Sequence, residues 1–149
     1  MTITRDTPSA STPRPSRRKG KRVMVVEDDP LLAMELEAAL RHAGAADVVI
    51  CRGMTEAAAA LESWTPHAVV LDVHLTDRDD GWALAEMVSL LGARPPRIAF
   101  STGSPESIPD DVRRLGPVFA KPYDTALLAA ELMQVAPTGL VGRLREALR

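Results

Sequence analysis

The sequence predicts an α/β protein, a doubly wound parallel sheet of five strands with helices on both faces. Five short apolar runs alternate along the chain with segments in which apolar residues recur at helical spacing. This alternation is typical of parallel strands joined by right-handed helical crossovers. The 149 residues leave room for one such domain and its tails, and with only 3% aromatic residues its core must be largely Ala, Val and Leu.

Strands are predicted where apolar and β-branched residues follow one another without a helical period. The run Ala-Val-Val-Leu-Asp-Val-His-Leu at residues 68–75 is typical of a strand buried on both faces. Asp72 stands where that strand ends, and charged groups seldom lie in such a place without a function. The four other predicted strands cover residues 22–27, 48–51, 98–101 and 118–120.

Helices are predicted from caps, chain breakers and apolar spacing. Pro30 suits the first turn of the first helix and Gly44 its end. The apolar stripe of that helix is expected to consist of Leu31, Met34, Leu36 and Leu40. Further helices are predicted over about residues 55–64 and 82–91, and from the cap Asp124 to Met133. Only residues 108–115 remain for the fourth crossover, so its helix is expected to be short or missing.

Charge is distributed unevenly along the chain. Residues 1–22 carry a formal charge of +6 and residues 23–136 one of −10, so the net charge of −2 conceals an acidic domain. An acidic domain is poorly suited to DNA, and we expect no nucleic-acid partner. No apolar stretch approaches membrane-spanning length, and no secretory signal is evident. The single cysteine, Cys51, fits a reducing compartment, so we expect a cytoplasmic protein without membrane insertion.

We expect three parts along the chain: a disordered basic leader at residues 1–21, one domain at residues 22–134 and a tail at residues 135–149. The leader is rich in Pro, Ser and Arg and lacks an apolar period. It is either an arm that contacts acidic lipid, nucleic acid or a partner, or a leader that simply keeps the protein in solution. The tail has the spacing of a short basic amphipathic helix, which either packs on the domain, meets a partner or frays.

Polar side chains follow four of the predicted strands at their carboxyl ends. They are Glu27 with Asp28, then Asp72, Thr102 and Lys121. Doubly wound sheets bind their ligands outside these strand ends. Acidic groups that lie close together raise one another's pKa, a conflict that a divalent cation relieves, and oxygen ligands of this kind favour Mg²⁺. With the hydroxyl and the ammonium group added, the set predicts a site for a phosphoryl group in transit, with an Asp as nucleophile.

Each of these residues, taken alone, has a simpler explanation. Asp28 precedes a helix, where the helix dipole favours an acidic group. Thr102 and Gly103 could form a turn, and Lys121 could be a solvated surface lysine. The hypothesis of a site therefore depends on all of them occurring together at strand ends.

The chain resembles the receiver domain of two-component response regulators, the class to which chemotaxis-regulator-like domains belong. The resemblance lies in the order and approximate spacing of four motifs: Glu27-Asp28, Asp72, Thr102-Gly103 and Lys121-Pro122. The resemblance covers about residues 22–133. It implies a flavodoxin-like sheet with strand order 2-1-3-4-5. It also implies that Asp72 accepts a phosphoryl group from a sensor histidine kinase or a histidine phosphotransferase.

The same resemblance implies a metal site. Asp28, Asp72 and the backbone carbonyl of His74 would bind Mg²⁺ directly, and Glu27 would act through water. Such a protein gains and loses a phosphoryl group rather than turning over a substrate, so we do not expect an enzyme. Its output would be contact with a downstream protein or onward transfer of the phosphoryl group.

By the same resemblance, Thr102 and Lys121 would hold the phosphoryl oxygens, and the Lys121–Pro122 peptide bond is expected to be cis. The chain departs from the family pattern at Val118, three residues before Lys121, where receivers usually have Tyr or Phe. Phe119 follows directly, but strand alternation predicts that its side chain lies on the other face of the sheet. The resemblance therefore does not extend to the usual switch, in which that aromatic ring moves.

The run Phe-Ser-Thr-Gly at residues 100–103, with the aromatic residue missing, is similar to a subgroup of single-domain receivers from α-proteobacteria. That subgroup has a Phe-Ala-Thr-Gly motif, and in this chain Ser101 replaces the Ala.

Two rival functions remain open at the level of sequence. One is a receiver-like docking module that never carries a phosphoryl group. The other is a Mg²⁺-dependent phosphohydrolase with an Asp nucleophile. The haloacid-dehalogenase-like class of such enzymes needs a second Asp two residues after the first, and this chain has His74 there.

Overall fold

The computed structural model of the chain describes residues 20–74 and 82–134. Its centre is a parallel sheet of five strands in the order β2-β1-β3-β4-β5, which confirms the predicted fold class and strand order. The strands are β1 (Lys21–Val26), β2 (Ala45–Cys51), β3 (Ala68–Asp72), β4 (Arg97–Thr102) and β5 (Val118–Ala120). Every neighbouring pair runs parallel, so the carboxyl ends of the strands lie along one edge.

Helices connect the strands, as the alternating sequence pattern predicted. They are α1 (Pro30–His42), α2 (Met54–Ser63), α3 (Trp82–Ser89), α4 (Asp110–Arg113) and α5 (Thr125–Met133). The fourth helix has only four residues and follows a 3₁₀ turn at Pro105–Ser107, which confirms the prediction of a short helix there. The side chain of Asp124 accepts from the N–H of Ala126 and caps α5, also as predicted.

The sheet is covered on both faces by aliphatic side chains, because successive strand residues point to opposite sides. In β1, Met24 and Val26 pack in one core layer, and Val23 and Val25 pack in the other. The first layer contains residues of α2, α3 and α4, and the second contains residues of α1 and α5. This double cover fixes the sheet and therefore the edge at which its polar strand ends meet.

The predicted apolar stripe of α1 was partly wrong. Leu36 and Leu40 are buried together with Ala33, but Leu31 and Met34 are 72% and 65% exposed. Ala33, Leu36 and Leu40 repeat at intervals of three and four residues and so share one face of the helix. Leu31 and Met34 lie beside that face, on the part of α1 that the rest of the described chain leaves uncovered.

Several predictions fall on parts of the chain that the structure does not describe. These are most of the basic leader, Leu75 at the end of the apolar run that begins at Ala68, and the tail at residues 135–149. Lys21, which we expected to close the leader, is the first residue of β1. Within the two described ranges, no helix is long and apolar enough to cross a membrane.

Candidate functional site

Three acidic residues meet at the carboxyl edge of the sheet. β1 runs directly into Glu27 and Asp28, and β3 ends at Asp72. Because β1 and β3 are hydrogen-bonded neighbours, with Val26 opposite Leu71, these ends lie side by side. Each of the three acidic residues offers a carboxylate oxygen, and these oxygens all lie within 4.8 Å of one another. The sequence-based expectation that they converge is therefore met.

Lys121 follows the outermost strand, β5, and its side chain reaches the acidic cluster along the carboxyl edge of the sheet. Its Nζ donates to Oε1 of Glu27 at 2.8 Å and to Oδ2 of Asp72 at 3.0 Å. Its backbone N–H donates to the carbonyl oxygen of Thr102 at 2.8 Å, which extends the pairing of β4 with β5 by one residue. The Lys121–Pro122 peptide bond is cis, as predicted. The ammonium group thus bridges two strand ends that belong to the centre of the sheet.

The acidic cluster contains more carboxyl groups than ammonium groups. Glu27 is only 2% exposed and Asp72 only 3%. Burial raises the pKa of the Glu27 carboxyl to about 8, and the neighbouring Asp72 adds to the rise. Burial by itself would lower the pKa of Lys121, but the hydrogen bonds to the two carboxylates outweigh it and raise that pKa. One ammonium group therefore does not fully neutralise the acidic residues that surround it.

The cluster fits a bound divalent cation. Oε2 of Glu27 is buried and has no hydrogen-bond partner among the described residues, so one buried acceptor lacks a donor. The converging ligands are all carboxylate oxygens, which suit Mg²⁺ better than a softer metal ion. Asp28 is the most exposed of the three, which leaves a side of the cluster open to water.

The loop after β3 holds the second oxygen of the central carboxylate. The backbone N–H of His74 donates to Oδ1 of Asp72 at 2.9 Å, while Oδ2 faces Lys121. Both carboxylate oxygens of Asp72 are therefore held in place. The part of the sequence hypothesis that assigns a metal-binding role to the His74 carbonyl stays a prediction.

Thr102 lies at the same edge, buried at the end of β4. It follows Ser101, which is paired with Asp72 across the ladder. Its hydroxyl oxygen accepts the backbone N–H of Ser104 at 3.0 Å, rather than contacting Asp72. This bond turns the side chain toward its own loop and leaves the hydroxyl proton available to a further acceptor.

Two contacts beside the site were not predicted. The ring Nε2 of His74 lies 3.0 Å from Oγ of Ser107, which itself donates to the carbonyl oxygen of Ser104 at 2.7 Å. Because the hydroxyl group of Ser107 donates its only proton to that carbonyl oxygen, Nε2 of His74 is the donor in this contact. The contact joins the loop after β3 to the 3₁₀ turn that precedes α4. Nothing in the sequence pattern indicates it, since the residues are 33 positions apart.

The second contact that the sequence did not reveal joins β4 to the loop after β5. The hydroxyl of Tyr123 lies 2.7 Å from Oγ of Ser101, and the Tyr123 ring packs against Phe119 with centroids 5.8 Å apart. Val118 packs on the opposite side of the sheet from Phe119, which confirms the predicted alternation. That alternation also places Ser101 on the same side as Phe119, and this was the signal available in the sequence.

The fold and this site together define a class of protein. The chain belongs to the response regulator receiver domain family, whose pattern it matches over residues 23–132. Among curated proteins it is 33% identical over 128 residues to the phyllosphere-induced regulator PhyR of Methylorubrum extorquens. That match covers 84% of this chain and 47% of PhyR, so the chain spans about half the length of the curated relative it matches.

Solved structures agree with this assignment. The response regulator PhyR from Brucella abortus is 28% identical with a TM-score of 0.64, over 87% of this chain and 50% of that one. A CheY-like receiver domain from Methylobacillus flagellatus has a TM-score of 0.66 at 22% identity, over 76% of this chain and 97% of that one, and shows the fold alone. The PhyR relatives are consistent with the α-proteobacterial subgroup that the Phe-Ser-Thr-Gly run indicated.

Proposed function

We propose that this chain is a response regulator that accepts a phosphoryl group on Asp72 from a sensor histidine kinase or a histidine phosphotransferase. The observation that carries the proposal is the placement of Asp72. One of its oxygens contacts Nζ of Lys121 at 3.0 Å, and oxygens of Glu27 and Asp28 lie within 4.8 Å. A carboxylate held between an ammonium group and further acidic residues is poised to bind a cation and a phosphoryl group together.

In the proposed reaction, a carboxylate oxygen of Asp72 attacks the phosphorus atom of a phosphohistidine. A P–O bond forms, the P–N bond breaks, and the imidazole nitrogen keeps the electron pair of that bond and takes up a proton. Lys121 donates to the phosphoryl oxygens, and the hydroxyl proton of Thr102 is available to a second one. Charge-assisted hydrogen bonds of this kind stabilise the transferring group without being consumed.

Mg²⁺ would be held by Asp28, Asp72 and the backbone carbonyl of His74, with Glu27 acting through water. When bound, the cation supplies positive charge that offsets the acidic residues and the phosphoryl oxygens. The buried, unpartnered oxygen of Glu27 supports this proposal, because a cation or its water would give that oxygen the partner it lacks.

We further propose that the protein acts in the cytoplasm as a phosphoacceptor rather than as a turnover enzyme. Its signal would pass through contact with a downstream protein or through onward transfer of the phosphoryl group. The acidic domain, with a formal charge of −10 over residues 23–136, supports a protein partner over a nucleic acid.

The test is incubation with acetyl phosphate and Mg²⁺, followed by intact mass spectrometry. We expect one phosphoryl adduct on the wild type, none on Asp72→Asn, and none on the wild type when a chelator removes the cation. A wild type without any adduct would favour the docking module. An adduct that survives Asp72→Asn would mean that another residue is the acceptor, and steady release of p-nitrophenol from p-nitrophenyl phosphate would favour the phosphohydrolase.

A further inference from the structure

The loop that carries Lys121 is fastened to β4 at two successive residues. The N–H of Lys121 donates to the carbonyl oxygen of Thr102 at 2.8 Å, and the hydroxyl of Tyr123 lies 2.7 Å from Oγ of Ser101. Ser101 is 1% exposed and Thr102 is fully buried, so both anchor points belong to the rigid interior of the sheet. The two hydrogen bonds lie on either side of Pro122 and fix the backbone at Lys121 and Tyr123.

Packing holds the Tyr123 ring as well as its hydroxyl. The ring is tilted 59° against Phe119 at a centroid distance of 5.8 Å. It also lines a groove against the start of α1, together with Lys121 and Leu31. A half-buried tyrosine with contacts on its face and at its tip has little freedom, and the backbone on which it stands is correspondingly restrained.

We propose that Ser101 and Tyr123 are positioning residues for Lys121, and this inference rests on the proposed phosphoryl transfer. The ammonium group of a lysine sits on a flexible four-carbon stem, so its position depends on how well the backbone beneath it is fixed. Displacing a reacting or stabilising group by about 1 Å can cost about 100-fold in rate. The hydrogen bond between the hydroxyl groups of Tyr123 and Ser101 holds the loop so that Nζ of Lys121 stays in contact with Asp72.

The experiment compares Ser101→Ala, Tyr123→Phe and the double variant, each assayed for the rate of adduct formation with acetyl phosphate and Mg²⁺ and for stability in urea. We expect all three to form the adduct about 3- to 10-fold more slowly than the wild type. Stability should behave differently. Tyr123→Phe leaves the buried Ser101 hydroxyl unpaired and is destabilising, while the double variant removes both partners and recovers much of the loss.

The double variant, with a slow rate but recovered stability, distinguishes a positioning role from a merely structural one. If the rate recovers together with stability in the double variant, or if neither single variant is slowed, the inference is overturned. Ser89→Ala is the matched control, because it removes a serine hydrogen bond to Glu86 that is remote from the site and should leave the rate unchanged. A wild type that forms no adduct would overturn the proposed function, whereas equal rates in all variants would overturn this inference alone.

Tyr123 is the only tyrosine in the chain, so it can be observed directly. Incorporation of 3-fluorotyrosine gives a single ¹⁹F resonance that responds to the environment of the hydroxyl group. We expect this resonance to shift in Ser101→Ala and to stay in place in Ser89→Ala. An unchanged resonance in Ser101→Ala would show that the bond is not formed in solution and would also overturn the inference.

Discussion

The charged residues at the two ends of the strands have different partners. We call the edge where the strands begin the amino edge, and the edge where they end the carboxyl edge. At the amino edge, Nζ of Lys21 donates to the carbonyl oxygen of Met133 at 2.9 Å, and the guanidinium of Arg97 donates to that of Leu132 at 3.0 Å. Both acceptors lie at the end of α5. At the carboxyl edge, acidic residues face one another across one ammonium group, and Oε2 of Glu27 has no partner within the described residues.

This difference separates residues that hold the fold from residues that hold the site. Cations at the carboxyl end of a helix satisfy carbonyl groups that the helix leaves unbonded, and they interact favourably with its dipole. Acidic residues crowded in a buried cluster disfavour one another's charged forms, which offsets part of the stability gained from their hydrogen bonds to Lys121. We therefore expect substitutions at the carboxyl edge to affect phosphorylation most, and those at the amino edge to affect stability alone.

The largest effect is expected from Lys121→Met, which keeps the length of the side chain but removes its charge. Loss of a donor aimed at the developing charge of a transferring group should slow adduct formation with acetyl phosphate about 100-fold. Initial rates from intact mass spectrometry measure this effect. Arg97→Met is the matched control at the opposite edge and should react at the wild-type rate. A Lys121→Met variant that reacts as fast as the wild type would show that the carboxyl edge does not serve phosphorylation in the way proposed.

Glu27→Gln should raise the stability of the fold and weaken the binding of Mg²⁺. Gln keeps an oxygen for Lys121 but removes a buried charge that burial disfavours, so the free energy of unfolding at pH 8 without divalent cation should rise by about 1 kcal/mol. The same change should weaken Mg²⁺ binding about 10-fold, measured by titration calorimetry. A variant that is less stable and binds Mg²⁺ as tightly as the wild type would show that Glu27 serves the fold.

The carboxyl edge was the part of the molecule that sequence predicted best. Parallel strands put all their carboxyl ends at one edge, so the acidic residues at the ends of β1 and β3 and the lysine after β5 were expected along the same edge once the strands were recognised. The Ser101–Tyr123 contact was missed, because strand alternation indicates only that Ser101 and Phe119 share a face of the sheet. A bond between side chains 22 residues apart also depends on rotamers and loop geometry, which the alternation does not give.

The amino edge was predicted least well, for a related physical reason. Lys21 was assigned to the leader because a charged residue at a strand start looks like the end of a basic run. Its bond to a carbonyl oxygen 112 residues away does not affect the sequence pattern at all. Similarly, the spacing in α1 predicted an apolar stripe but could not fix its width, so Leu31 was expected inside and lies outside.

Arg97→Ala tests the amino edge directly. The change removes a half-buried hydrogen bond to the carbonyl oxygen of Leu132, which fastens β4 to the end of α5. We expect the free energy of unfolding to fall by about 1 kcal/mol, measured by urea denaturation, with no change in the rate of adduct formation. A slower reaction in a variant of unchanged stability would show that this edge also serves the site.

The smallest effect is expected from His67, at the same amino edge, through the dependence of stability on pH. Its Nδ1 accepts the backbone N–H of Arg22 at 2.9 Å. Burial, followed by the charges of Arg22 and Lys21, lowers the pKa of His67 from its ordinary value of 6.5. Just below pH 6.5 the unfolded chain therefore binds a proton that the folded chain does not, so stability rises with pH in that window and is lost as the pH falls through it.

His67→Asn isolates this contribution, because the amide oxygen of Asn can accept the same N–H and does not titrate. In urea denaturation at pH 7.5 and pH 5.5, the wild type should lose more stability than His67→Asn by less than about 1 kcal/mol, since the ring is largely exposed and solvent screens its neighbours. Equal losses in both proteins would show that this bond imposes no pH dependence. Adduct formation at pH 7.5 should be the same in both, because this edge supports the sheet and lies away from the phosphoryl site.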